Sequence, residues 1–118
     1  MIKMAVPVLS PNGLQSEITD HFGMAEDFVI LETEGVEIKS FEILHNDPNV
    51  KGGKTPAKFL ADIGVKIILS GYVGPHMLVI LLNEGVRVFK GAVGTAEDAF
   101  EDYKAGMLTE VFKIEDMD

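Results

Sequence analysis

Thr55-Pro56-Ala57-Lys58-Phe59-Leu60-Ala61-Asp62-Ile63-Gly64-Val65-Lys66-Ile67-Ile68-Leu69 is the stretch that decides the fold class. It opens with helix-start chemistry: the Thr55 hydroxyl can accept a first-turn amide hydrogen bond, and Pro56 stands where a helix has no use for an N–H. Ala57, Leu60, Ala61 and Gly64 follow helical spacing, and Gly64 stops the helix. Val65 to Leu69 then reads as a short, nearly continuous apolar strand, the kind buried on both faces of a parallel sheet. Helix followed by doubly buried strand is the signature of an α/β domain.

Downstream the pattern repeats. Met77 to Leu82 is an apolar run that fits a buried helix or a strand; Pro75 at the position of a first helical residue, and Asn83-Glu84-Gly85 as a stop, favour helix. Val86 to Phe89 is the next strand. Thr95 caps a further helix, with Glu97 and Asp98 at the positive end of its dipole, Ala96, Ala99, Phe100 and Tyr103 facing inward, and Gly106 as its end. Upstream, Ile2 to Leu9 is strand-like and ends in the turn residues Ser10-Pro11-Asn12-Gly13. Asp27 to Thr33 and Val36 to Leu44 are two more strands, joined through Glu34-Gly35 as a hairpin; the second has imperfectly sorted faces.

Three strands followed by helix-strand-helix-strand-helix predict a mixed five-stranded sheet, an antiparallel meander and then two parallel strands, with helices on its faces. Residues 1–118 show no repeat, low-complexity tract or linker and read as one domain. If the first three strands alternate in direction, the loops after strands one, three, four and five open on one edge. Those loops carry His21, His45, His76 and the Gly91–Thr95 turn, and ligands of open α/β sheets bind outside the carboxyl ends of the strands.

Composition narrows the function. Acidic residues outnumber basic ones 19 to 10, a net charge of −9, and the lysines are scattered, so nucleic acid is not an expected partner. The absence of cysteine excludes disulfides and thiolate-held clusters. The apolar opening is too short for a signal segment and the longest apolar run, Met77 to Leu82, too short for a membrane span, so a soluble cytoplasmic protein without a membrane partner is expected. No cysteine nucleophile, G-x-S-x-G elbow or His-Glu-x-x-His is present.

What remains is imidazole and glycine. His21, His45 and His76 are the candidate metal ligands. Asp20-His21-Phe22-Gly23 places a carboxylate where it can orient an imidazole and a glycine where the turn can expose it; alternatively His21 is a surface residue beside a core phenylalanine. Gly71-Tyr72-Val73-Gly74-Pro75-His76 and Gly91-Ala92-Val93-Gly94-Thr95 are turns whose backbone N–H groups could cradle an anion, or glycines kept only for conformation. Lys51-Gly52-Gly53-Lys54 is either a solvated loop or the one place where positive charge meets an anion. The candidate cofactor-binding residues are therefore His21, Phe22, Gly23, Lys51, Gly52, Gly71, Gly74, His76, Gly94 and Thr95.

These pieces, in this order, resemble the dinitrogenase iron–molybdenum cofactor biosynthesis family. The likeness runs through Ile2-Lys3-Met4-Ala5-Val6-Pro7-Val8, Ile18-Thr19-Asp20-His21-Phe22-Gly23-Met24-Ala25, Gly64-Val65 and Gly71-Tyr72-Val73-Gly74-Pro75. It continues through Glu84-Gly85-Val86-Arg87-Val88, Gly94-Thr95-Ala96-Glu97-Asp98-Ala99 and Tyr103-Lys104-Ala105-Gly106-Met107-Leu108, with His-Phe-Gly-x-Ala at His21–Ala25 as its most specific mark. The resemblance implies a ribonuclease H-like α/β fold. It also implies a protein that binds, carries or helps assemble an iron–molybdenum or related metal–sulfur cofactor, with His21 a leading contact. A non-catalytic carrier, working with a cluster donor or acceptor protein as a monomer or small homo-oligomer, is the expected function. Two others remain open: a metal-dependent hydrolase or nuclease of ribonuclease H-like fold, and a regulatory module that binds a small anion.

Overall fold

The computed structural model describes residues 1–47 and 52–117. Its frame is a mixed sheet of strands β1 (Ile2–Val8), β2 (Asp27–Glu34), β3 (Glu37–His45), β4 (Val65–Leu69), β5 (Arg87–Lys90) and β6 (Thr109–Val111), in the order β3-β2-β1-β4-β5-β6. β1 pairs antiparallel with β2 and parallel with β4, β2 and β3 are antiparallel, and β4 and β5 are parallel. The alternating direction of the first three strands is as the sequence predicts. Helices α1 (Pro56–Asp62), α2 (Pro75–Asn83) and α3 (Ala96–Lys104) make the crossovers.

The strand period of two sorts the central residues between two cores. Ala5, Ile30, Ile68 and Val88 face a layer containing Ala57 and Leu60 of α1 and Leu78 and Leu81 of α2. Met4, Val6, Val8, Ile67, Leu69 and Phe89 face the other layer, filled by Ala96, Ala99 and Phe100 of α3. The ambiguous run Met77 to Leu82 is helical, with Pro75 as first residue and Gly74 as N-cap.

Two differences from the sequence reading have clear causes. The sheet has six strands, not five: Thr109-Glu110-Val111 pairs antiparallel with β5, Val88 opposite Val111. Only Val111 of the three is buried, so local pattern carries no strand signal. The strand exists because β5 offers it a ladder, reinforced by Arg87, whose Nε and Nη2 donate to the two Glu110 carboxylate oxygens at 2.9 and 2.8 Å. The mixed faces of β3 come from a bulge. Glu32 pairs with Ser40 and Thr33 with Ile38, leaving Lys39 as the extra residue. That single step puts both Ile38 and Ile43 against the α3 layer while Leu44 packs on the other side.

Candidate functional site

The carboxyl ends of β1, β3, β4 and β5 share one edge of the sheet, and the loop after β1 builds its centre. Residues 16–19 run back along the end of β1: Leu9 N–H donates to the Glu17 carbonyl at 2.8 Å and Thr19 N–H to the Pro7 carbonyl at 3.0 Å. Ile18 N–H donates to the Gly94 carbonyl at 2.9 Å, fixing the same segment to the turn before α3. The chain then enters a single 3₁₀ turn, Phe22–Met24, with His21 at its N-cap. His21 N–H donates to Thr19 Oγ1 at 3.2 Å, and Met24 N–H to the His21 carbonyl at 3.1 Å. Phe22 drives into the core against Phe28, ring centroids 5.3 Å apart, and so turns His21 and Met24 outward. The Phe22 ring anchors the turn in the core, and the residue also borders the smaller hollow beside His21.

His21 lies between two depressions. One, of about 250 Å³, is lined by His21, Gly23, Met24, Tyr72, His76 and Met77, among others. The other, of about 440 Å³, has His21, Met24, Leu9, Thr19 and Glu26 in its wall. The fold thus brings His21 and His76 to one hollow. His76 is a helix residue, not a loop residue: it follows Pro75 in the first turn of α2, and no side chain caps that end of the helix. Its free first-turn N–H groups favour an anion.

His45 goes elsewhere. It is the last residue of β3, directly across from Asp27 of β2, and its Nδ1 meets the Asp27 carboxylate. Asp27 is buried while the His45 side chain is 69% exposed, so the pair fixes one ring nitrogen and leaves Nε2 to solvent. Neither depression has His45 in its wall. Among the described residues no three His, Asp or Glu side chains come together as a metal site, so the three histidines do not form a single ligand set. Cross-strand pairing, invisible in sequence, captured one of them.

The glycine turns are largely occupied by the fold itself. Gly91 N–H donates to the Gly71 carbonyl at 3.4 Å and Ala92 N–H to the Ser70 carbonyl at 3.1 Å, tying the two turns together. Thr95 N–H donates to Asp98 Oδ2 at 3.1 Å and Asp98 N–H to Thr95 Oγ1 at 3.1 Å, a capping box. Ala96 N–H donates to the Ser16 carbonyl at 2.9 Å. The Gly94-Thr95 end of the expected cradle is therefore already capped by a carboxylate, whereas the Gly74 end, before α2, is open. Gly71 is needed for closeness: a methyl group there would collide with the Asp20 carboxylate and sit 3.2 Å from the Ala92 carbonyl oxygen. Gly52 lies exposed in a left-handed turn, φ +63°, and Lys51 falls outside the described residues. Lys54 Nζ is held by Asp62 at 2.5 Å, and Lys58 by Asp62 and Glu84. These lysines hold the Asp62 carboxyl below its usual range, Lys54 most strongly.

A third groove, about 590 Å³, lies between Phe41, Ile38 and Val36 of the hairpin and Phe100 of α3. It is larger but contains neither histidine nor free helix end. Sequence reasoning missed Met24, Met77 and Tyr72 as neighbours of the two imidazoles. The signal was there for the methionines, since Met24 follows His21 by one 3₁₀ turn and Met77 is adjacent to His76.

The arrangement is that of a mixed α/β domain with a donor-lined hollow at the strand carboxyl ends. The chain belongs to the dinitrogenase iron-molybdenum cofactor family, whose model matches residues 3–106. An uncharacterized protein of Methanocaldococcus jannaschii is 29% identical over 111 residues, spanning 92% of this chain and 90% of the relative. A Thermotoga protein assigned provisionally to NifB superposes with TM-score 0.77 at 26% identity, covering 96% of each chain. The apo form of the orange protein of Desulfovibrio gigas shares the fold, TM-score 0.78, over 94% of this chain and 93% of its own. Among the described residues no helix is long and apolar enough to cross a membrane.

Proposed function

We propose that this protein binds and carries a preassembled iron–molybdenum or related metal–sulfur cofactor at the His21–His76 hollow, without catalysing a reaction. The observation that carries this reading is the delivery of two imidazoles, from the loop after β1 and the first turn of α2, to one hollow beside an uncapped helix end. The donor set suits such a cargo. A cluster that brings its own sulfide needs no cysteine; imidazole can ligate its metal, and helix N–H groups favour its negative charge. Membership of the cofactor family supports the same direction. In this reading the partner is a cytoplasmic protein that donates or accepts the cluster at the exposed edge. Hydrolysis has less support, because the central strands β1 and β4 carry no carboxylate to hold paired divalent ions.

Anaerobic reconstitution with a molybdenum- and iron-containing cluster, desalting and metal analysis test the reading. Wild type should retain metal and visible absorption after desalting, and His21→Ala should lose most of both. Equal retention by wild type and His21→Ala would remove the central ligand and with it the proposed site.

A further inference from the structure

The Asp27–His45 pair lies outside the His21–His76 hollow, and the proposed carrier function makes no use of it. It is built as a dyad, a buried carboxylate holding an exposed ring. Asp27 opens β2 and His45 closes β3, and strand register sets them directly opposite each other. The chain beyond His45 is pinned to the residues before Asp27. Asn46 N–H donates to the Glu26 carbonyl at 2.8 Å, and Asn46 Nδ2 donates to the Ala25 carbonyl at 2.6 Å. The Asp27 side chain is only 5% exposed and meets Nδ1, so that ring nitrogen is committed to the fold. Among the described residues the His21 and His76 rings are exposed as well, and neither is held by a carboxylate.

An ionised carboxylate only accepts hydrogen bonds, so Nδ1 carries the proton. In the neutral ring the lone pair then lies on Nε2, at the exposed end of the side chain. A nitrogen nucleophile oriented by a third group in this way is set for covalent chemistry. We propose that His45 is a phosphorylation site, its Nε2 accepting the phosphoryl group of a phosphoramidate. The Nε2 lone pair forms the new bond to phosphorus as the donor's P–N bond breaks. The donor nitrogen, protonated before transfer, takes that electron pair and leaves as the neutral amine. Nothing is oxidised or reduced. The Nδ1 proton stays on the ring, and Asp27 offsets the positive charge the ring acquires. One nitrogen–phosphorus bond replaces another, so the transfer needs no other co-reactant.

The probe is potassium phosphoramidate, added to the whole protein under native conditions and followed by phosphorus NMR and by mass spectrometry of the peptides. His45 should be labelled about tenfold or more faster than His21 and His76, with the phosphorus on Nε2. The net charge of −9 opposes an anionic donor at all three rings, so comparison within one chain isolates the effect of the carboxylate. Asp27→Asn keeps the shape, but its amide can donate to Nδ1, which moves the lone pair there and the proton to Nε2. Labelling of His45 in that variant should fall to the rate of the other two rings. Unfolding the wild type in urea should equalise the three rates with no substitution at all, so the test survives if Asp27→Asn does not fold. Native labelling of His45 no faster than that of His21 and His76, attachment at Nδ1, or an advantage that persists in Asp27→Asn or in urea would each overturn the proposal.

Discussion

At the scale of single residues, two contacts make sharp claims. Gly71 has room for hydrogen only, hemmed by the Asp20 carboxylate and by the Ala92 carbonyl. Gly71→Ala should lower stability by about 1–3 kcal/mol, the usual cost of overpacking. Removing the carboxylate in Asp20→Ala should recover part of that loss, because the side-chain clash disappears while the carbonyl stays. Urea unfolding of the two single variants and the double variant gives the coupling, and strictly additive losses would show that the two residues do not meet as described. The second contact is His45 on Asp27. His45→Ala strips a buried carboxylate of its imidazole partner, so a loss of about 1–3 kcal/mol is expected despite the exposure of the ring. His76→Ala, on the exposed first turn of α2, should stay within about 0.5 kcal/mol of wild type in the same unfolding assay. The exposed place of His21 in a turn beside a core phenylalanine was legible from its tetrapeptide; the fate of His45 was not, because its partner lies on another strand, 18 residues away in sequence.

Elements divide by how far their stability is local. α3 announces itself in sequence, since Thr95, Asp98 and the inward alanines lie within one short stretch, and the structure adds a capping box between Thr95 and Asp98. β6 is the reverse case, three residues held by the β5 ladder and by the Arg87–Glu110 pair. The Arg87 guanidinium hydrogen-bonded to Glu110 holds that carboxyl below the usual carboxylate range. A carboxylate with a lowered folded-state pKa contributes stability that is present above its unfolded pKa and is lost as pH falls through the folded value. Glu110→Gln should therefore cost about 0.5 kcal/mol at pH 7, a figure kept small by the solvent exposure of Arg87, and the gap to wild type should close on acidification below the ordinary glutamate range. Thermal melts of both proteins across that range check it; a constant difference at all pH values would mean that the lost term is not the ion pair.

For the molecule as a whole, the test lies in how protons compete with cargo. Imidazole binds metal only when neutral, so protons compete with the metal and cluster retention should fall on acidification. His21→Ala should remove most of that dependence, His76→Ala some, and His45→Ala little, since His45 lies outside the hollow. Equilibrium binding measured between about pH 8 and about pH 5.5 decides it; a flat wild-type profile would shift the site from imidazole to the free N–H groups at the start of α2. The chain by itself determined the α/β class, the three helices with their starts, five of the strands and the edge on which His21 and His76 meet. It could do so because each rests on local chemistry: caps, stop glycines and runs of apolar residues a few positions long, with chain connectivity limiting the order of the strands. Only the tertiary structure decided the sixth strand, the bulge at Lys39, the diversion of His45 to Asp27, the closing of the Gly94 turn by Asp98, and the meeting of Met24 and Met77 around the imidazoles. Most of these join groups far apart in sequence, so they depend on strand register and on packing between layers; the Asp98 cap is local, but that it fills the expected cradle shows only in the folded geometry.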